Sequence, residues 1–68
     1  MNIEEIRELT DAELLERIEE DRELLQRMYF NHAISEIESP SKIRTTKRAI
    51  ARMLTVIRER EMEKSQNA

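Results

Sequence analysis

The chain contains no glycine and a single proline, Pro40, in 68 residues. Tight turns between strands depend on Gly, Pro and Asn, and a small sheet domain needs several such turns. This sequence has the turn residues for about one sharp reversal of the chain. The composition therefore predicts an all-α fold that is built from very few, long helices.

Two helix starts can be placed from local signals. Thr10 and Glu13 have the spacing of a capping box, in which each side chain accepts a hydrogen bond from the backbone N–H of the other. Ser39 followed by Pro40 marks the second start, because Ser is a favoured N-cap and Pro is favoured at the first helical position. The sequence thus predicts one domain over residues 1–68, with helix one at about 10–35, a turn at about 36–39, helix two at about 40–61 and a frayed tail at 62–68.

Each predicted helix carries one narrow apolar seam when residues are placed 100° apart. The seam of helix one consists of Leu14, Ile18, Leu25 and Met28, with Asp21 and His32 on the same stripe. The seam of helix two consists of Ile43, Ile50, Leu54 and Ile57. Two seams joined by a short turn predict a long antiparallel two-helix hairpin, and residues 3–8 allow a short helical turn before it. So small a core predicts marginal stability for the chain alone.

The charge of the chain is divided unevenly along its length. Residues 1–34 have a net charge of −6, whereas residues 35–68 have a net charge of +3. Residues 42–58 hold six bases and no acid. Arg44, Arg48 and Arg52 follow one another at four-residue spacing and so form one ridge on helix two. The ridge indicates a surface that binds a polyanion, unless acids of helix one such as Glu13, Glu16 and Glu20 pair with it across the hairpin.

No pattern indicates catalysis, a metal site or a cofactor. The chain has no Cys and one His, too few ligands for a metal, and it lacks a Gly-rich loop, a Ser/His/Asp set and a pocket in which carboxylates could be tuned. His32 is interpreted either as packing against the turn or as touching RNA. Tyr29 and Phe30 either cover the hairpin end or stack on bases. Met28 and Met53 are expected to pack in or beside the seam.

Neither a membrane span nor a signal peptide is expected. The chain contains no run of about 18 apolar residues, which a spanning helix requires. Its first residues, MNIEEIREL, are acidic, whereas a signal peptide begins with basic residues that are followed by an apolar core. A cytoplasmic location follows as the expectation.

Residues 31–61, with the sequence NHAISEIESPSKIRTTKRAIARMLTVIRERE, resemble the bacterial large-subunit ribosomal protein family L twenty-nine. The family signature has an apolar residue, an acid, Asn and Pro at the turn, then Ile and a basic run that ends in Ile-Ala-Arg. This chain has Ile37-Glu38-Ser39-Pro40, then Ile43 and the run Lys47 to Arg52. The opening of helix one, Leu9 to Leu14, fits the family as well.

This resemblance implies a non-enzymatic structural constituent of the large ribosomal subunit, cytoplasmic and ribosome-bound, with no small-molecule substrate. It implies binding to large-subunit ribosomal RNA near the mouth of the nascent-peptide tunnel, beside the ribosomal protein L twenty-three. The RNA-binding residues that follow by position are Lys42, Arg44, Lys47, Arg48 and Arg52, with Asn31, His32 and Ser41 as further candidates. The alternative function is a small helical-hairpin module that binds proteins. A helix-turn-helix regulator would need a third helix for which the chain has no room.

Overall fold

A computed structural model describes residues 2–35 and 39–67 of the chain, and all its regular structure is helical. Helix α1 spans Ile3–Arg7, α2 spans Asp11–Ser35 and α3 spans Pro40–Asn67. The all-α prediction is confirmed, and α1 is the short helical turn that residues 3–8 allowed. Residues 36–38 of the predicted turn lie outside the described residues.

Helices α2 and α3 form the antiparallel hairpin. Asp11, at the start of α2, binds Arg60 near the end of α3, whereas Tyr29 near the end of α2 lies beside Lys47 in the first half of α3. The two helices therefore run in opposite directions, and the molecule is 51 Å long and only 16–17 Å across. The hairpin prediction is confirmed.

Helix α3 is longer than predicted. It continues to Asn67 instead of ending near Glu61, so the predicted end of helix two was too early. Fraying of the tail over 62–68 stays a prediction. No Gly or Pro follows Glu61 to stop the helix. In addition, the Lys64 ammonium lies 3.9 Å from an Asp11 carboxylate oxygen, which ties the last turns of α3 to the start of α2.

Both predicted helix starts have the expected hydrogen bonds. The backbone N–H of Glu13 donates to Thr10 Oγ1 at 3.2 Å, and the backbone N–H of Thr10 donates to Glu13 Oε1 at 3.3 Å, which completes the capping box. At the start of α3 the backbone N–H of Ser41 donates to Ser39 Oγ at 3.2 Å. These bonds satisfy donors that a helix start leaves without partners within the helix.

The core follows a heptad-like spacing on both helices. On α2 the buried or half-buried residues are Leu14, Ile18, Asp21, Leu25, Met28 and His32, at alternating intervals of four and three. The seam predicted for helix one is therefore the buried face. On α3 a matching series consists of Ile43, Thr46, Ile50, Met53, Ile57 and Arg60. Such spacing keeps one stripe of each helix facing its partner, as in a coiled coil.

The buried face of α3 differs from the predicted seam at Leu54, because α1 packs against this helix as well. Leu54 is 41% exposed, whereas Met53 and Val56 are almost completely buried. Ile6 of α1 joins Met53 and Val56 in one apolar cluster. The extra contact turns the buried face of α3 toward α1, and Leu54 falls on the opposite edge. The prediction that Met28 and Met53 serve packing is confirmed.

Candidate nucleic-acid interface

The three arginines of the predicted ridge are all exposed on α3. Arg48 and Arg52 each lie two positions from the buried Ile50 and are therefore rotated away from it by about 200°. Arg44 lies about one turn before Arg48 and so shares its side of the helix. The core thus fixes the orientation of the helix and leaves the ridge on its outer side. The arrangement presents three guanidinium groups, each with several N–H donors, along one line.

The threonine hydroxyls on this part of α3 donate hydrogen bonds within the helix. The Thr45 hydroxyl donates to the Ser41 carbonyl oxygen at 2.9 Å, and the Thr55 hydroxyl donates to the Ala51 carbonyl oxygen at 2.8 Å. These bonds lie within the helix, so neither hydroxyl proton is available to an external acceptor. The donors that the ridge offers outward are therefore those of the arginines.

The described ion pairs do not neutralise the first part of the ridge. They join Arg7 to Glu59, and Asp11 to both Arg60 and Lys64, all at the end of the hairpin opposite the predicted turn. Within residues 2–35 and 39–67, no ion pair links Arg44 or Arg48 to the acids of α2 that could have reached across the hairpin. This geometry favours binding of an external anion over internal charge pairing.

The two predicted lysines of α3 are exposed but lie off the ridge. Lys42 precedes Arg44 by two residues and so points to the other side of the helix. Lys47 lies next to α2, where its ammonium is 5.2 Å from the centre of the Tyr29 ring. This distance is within the range of a cation–π contact. The five predicted bases therefore do not form one face: three form the ridge, Lys47 flanks it toward α2, and Lys42 lies on the other side of the helix.

Tyr29 is 44% exposed, and the ammonium of Lys47 lies over its ring. This contact joins the two helices of the hairpin, which agrees with the interpretation that Tyr29 covers part of the hairpin. Phe30 behaves differently, because it is 66% exposed on the outer side of α2. The interpretation that Phe30 covers the hairpin end stays a prediction, because residues 36–38 lie outside the described residues.

The further candidates lie near the same end of the hairpin. His32 is half-buried on the seam of α2, as expected for a packing role, whereas Asn31 beside it is exposed. Ser41 is exposed in the first turn of α3, and this turn holds no acid, unlike the first turns of α1 and α2. Helix starts attract negative charge, so the absence of acids here leaves that attraction available to a ligand.

Acids are segregated lengthwise as well as by helix. Residues 24–35 of α2 contain none, and neither do residues 39–58, so the two helices are acid-free in the half that adjoins the predicted turn. Ten acids lie in residues 1–23, at the other end of the hairpin. Only the short connection, through Glu36 and Glu38, interrupts the acid-free half in the sequence. Negative potential is thereby concentrated away from the ridge.

Arg60 is the main structural residue that sequence reasoning missed. Its guanidinium donates to Asp11 Oδ1 at 2.6 Å, to the Leu9 carbonyl oxygen at 2.8 Å and to the Arg7 carbonyl oxygen at 3.1 Å. Arg60 therefore joins the end of α1, the start of α2 and the last third of α3. Its place in the heptad series after Ile57 was the signal that could have identified it.

The hydrogen bond from Arg60 holds the pKa of the Asp11 carboxyl below its ordinary value. Partial burial opposes this shift, and the positive charges of Arg60 and Lys64 add to it. Asp11 is thus stabilised as a carboxylate in the folded chain. The effect lies far from the ridge and concerns the fold.

Among the described residues, no group of three or more His, Asp or Glu side chains is arranged to hold a metal ion. No helix in the described part of the chain is both long and apolar enough to cross a membrane. The exposed ridge is the strongest candidate site.

Similar proteins belong to one family. A model of the family described as Ribosomal L29 protein matches residues 4–60 of the chain. A protein of Persephonella marina is 46% identical over 65 residues, which cover 96% of both chains, and is named large ribosomal subunit protein uL29. A protein of the same name from Porphyromonas gingivalis is 44% identical, and the match covers 94% of this chain and 100% of the relative. Another, from Pelotomaculum thermopropionicum, is 42% identical, and the match covers 91% of this chain and 92% of the relative.

These matches cover most of the described residues. The family is one of ribosomal proteins. The chain belongs to the Ribosomal L29 protein family.

Proposed function

We propose that this protein is a structural constituent of the large ribosomal subunit and binds ribosomal RNA through the ridge of Arg44, Arg48 and Arg52. The observation that carries the proposal is the exposed outer side of α3 over residues 40–58, a stretch that holds no acid. Family membership supplies the ribosomal context, and the names of its relatives point to the large subunit. The protein works in the cytoplasm as part of the ribosome, near the exit of the nascent-peptide tunnel and beside the ribosomal protein L twenty-three.

The mechanism is charge neutralisation between segments of folded RNA. Arginine binds phosphate through a planar fork of N–H donors, which gives the contact a direction as well as an energy. The ridge lies on a helix whose opposite side is packed in the core, so the three side chains start from fixed points. Contacts of this kind place RNA segments relative to one another and carry little information about the base sequence.

The other predicted bases of α3, Lys42 and Lys47, extend the contact beyond the ridge. Lys42 and Ser41 lie in or beside the first turn of α3, where the helix dipole favours an anion. Lys47 is held near α2 by Tyr29 and can meet phosphates along the edge between the two helices. Asn31 and His32 lie at the adjoining end of α2 and are secondary contacts.

Cosedimentation with the large subunit tests the proposal. Tagged protein should pellet with large subunits through a high-salt wash. A variant with Arg44→Gln and Arg48→Gln should be released at lower salt, because each substitution removes a charge and keeps a good helix former. Arg17→Gln with Arg22→Gln is the matched control, since it removes two charges from α2. Equal release of both variants, or self-association of the free protein without RNA, would support the protein-interaction module instead.

A further inference from the structure

Phe30 is an aromatic side chain that the hairpin does not use. It follows the buried Met28 by two residues and lies on the outer side of α2, 66% exposed. Tyr29, the only other aromatic residue apart from His32, is occupied by its contact with Lys47. The described core does not include this ring. Its face is therefore available to stack on a ligand.

The open surface around Phe30 is mixed polar and charged. The side chains that share it are Glu23, Gln26, Arg27 and Asn31, all on α2. Gln26 and Asn31 carry amide groups that both donate and accept hydrogen bonds, as the edges of nucleic-acid bases do. Arg27 supplies a positive charge three residues from Phe30. Except for Glu23, the residues of this surface belong to the acid-free stretch of residues 24–35.

The size of the apolar surface selects the class of ligand. The other exposed large apolar side chains on this part of α2 are Leu24, Tyr29 and Ile34, at 37%, 44% and 67%. Of these, Ile34 is the one that shares the outer side of the helix with Phe30, since it lies four residues further on. Two side chains fall far short of the roughly 800 Å² that each partner contributes to a stable protein interface. One ring is enough, however, to stack a single base, and such stacking is tolerant of base identity.

We propose that Phe30 is a stacking platform for one unpaired base of RNA, with Arg27 on the adjacent phosphate and Asn31 or Gln26 at the base edge. The proposal rests on the proposed function and adds a second RNA-facing side to it. Phe30 points away from α3, whereas the arginine ridge points away from α2. The protein thus holds two RNA segments apart across a body 16–17 Å thick.

Two RNA probes test this inference with the full chain. One is a short RNA duplex that carries a single bulged adenosine, and the other is the same duplex fully paired. Phe30 is the only phenylalanine, so its ring protons can be followed directly by NMR. The bulged RNA should shift them upfield, and the paired RNA should not. Phe30→Leu should weaken binding of the bulged RNA by roughly 5- to 150-fold, the effect of losing one aromatic–base stack.

Controls separate this inference from the proposed function. Ile34→Ala should keep the preference for the bulged RNA. Arg44→Gln with Arg48→Gln should weaken binding of the paired RNA and leave the upfield shift that the bulged RNA gives to the Phe30 ring protons, because the two sites lie on opposite sides of the hairpin. If the arginine variant loses affinity but Phe30→Leu does not and the ring protons stay in place, the inference is overturned and Phe30 is left for contact with a protein. If neither RNA binds the unaltered chain, the proposed function fails as well.

Discussion

Arg60 donates a hydrogen bond of 2.6 Å to Asp11, 49 residues earlier in the chain. The same guanidinium bonds the carbonyl oxygens of Arg7 and Leu9, so it holds three helices together at one end of the hairpin. The side chain is 26% exposed, compared with 51% for Asp11. Arg60 stabilises the end of the molecule that lies away from the arginine ridge.

Replacing Arg60 by Met should loosen α1 from the hairpin. The apolar stem is kept while three hydrogen bonds are lost, and we expect a loss of about 1–3 kcal/mol in the free energy of unfolding. Urea unfolding measures this loss, and hydrogen exchange should show faster exchange at the Ile6 amide than in the middle of α2. Arg58→Met is the control because Arg58 is exposed and takes part in none of the described bonds. Equal effects of the two substitutions would contradict the structural role of Arg60.

The pKa of Asp11 predicts a specific dependence of stability on acid pH. Because that pKa is lowered in the folded chain, the ionised Asp11 carboxylate stabilises the fold. This stabilisation is present above the ordinary aspartate pKa of about 3.9 and is lost as the pH falls through the lower pKa of Asp11 in the folded chain. Asp11→Asn should therefore be less stable than the unaltered chain near neutral pH, with the difference shrinking below about pH 4. Unfolding followed at several pH values measures it. A difference for Asp11→Asn that stays constant across the pH range would refute the assignment.

Two adjacent residues of α3 test the orientation of the core. Met53 is fully buried and Leu54 is 41% exposed. Met53→Ala should lower the free energy of unfolding by about 2–5 kcal/mol, since it leaves a cavity. Leu54→Ala should change it by less than about 1 kcal/mol, as is usual for exposed residues. Thermal unfolding followed by circular dichroism compares them. A larger loss for Leu54→Ala would restore the seam that the sequence predicted.

The sequence predicted the hairpin well because its strongest signals are local. The capping box at Thr10 and the Ser39-Pro40 start depend on a few neighbouring residues, and both have the expected hydrogen bonds. Leu54 was misassigned because the position of α1 is not a local property. The 100° spacing of residues within α3 carries no information about α1, whose packing extends the buried face of α3 to Val56.

Within the candidate site, helical spacing was enough to place Arg44, Arg48 and Arg52 on one line. It could not reveal that Lys47 lies over the Tyr29 ring, because that contact depends on the register between two helices. For the same reason the sequence could not show that Tyr29 and Phe30 have different surroundings. The two rings are adjacent in sequence, but one faces the partner helix and the other faces outward.

The salt dependence of RNA binding tests the central claim most directly. The measurement is the affinity of the full chain for a fragment of large-subunit RNA at several salt concentrations. If each ridge arginine neutralises about one phosphate, the triple variant Arg44→Gln, Arg48→Gln and Arg52→Gln should lower the slope of log K against log salt by roughly 2–3 units. Neutralising Glu13, Glu16 and Glu20 should leave affinity undiminished. An unchanged slope in the triple arginine variant would contradict the account and move RNA binding off the ridge.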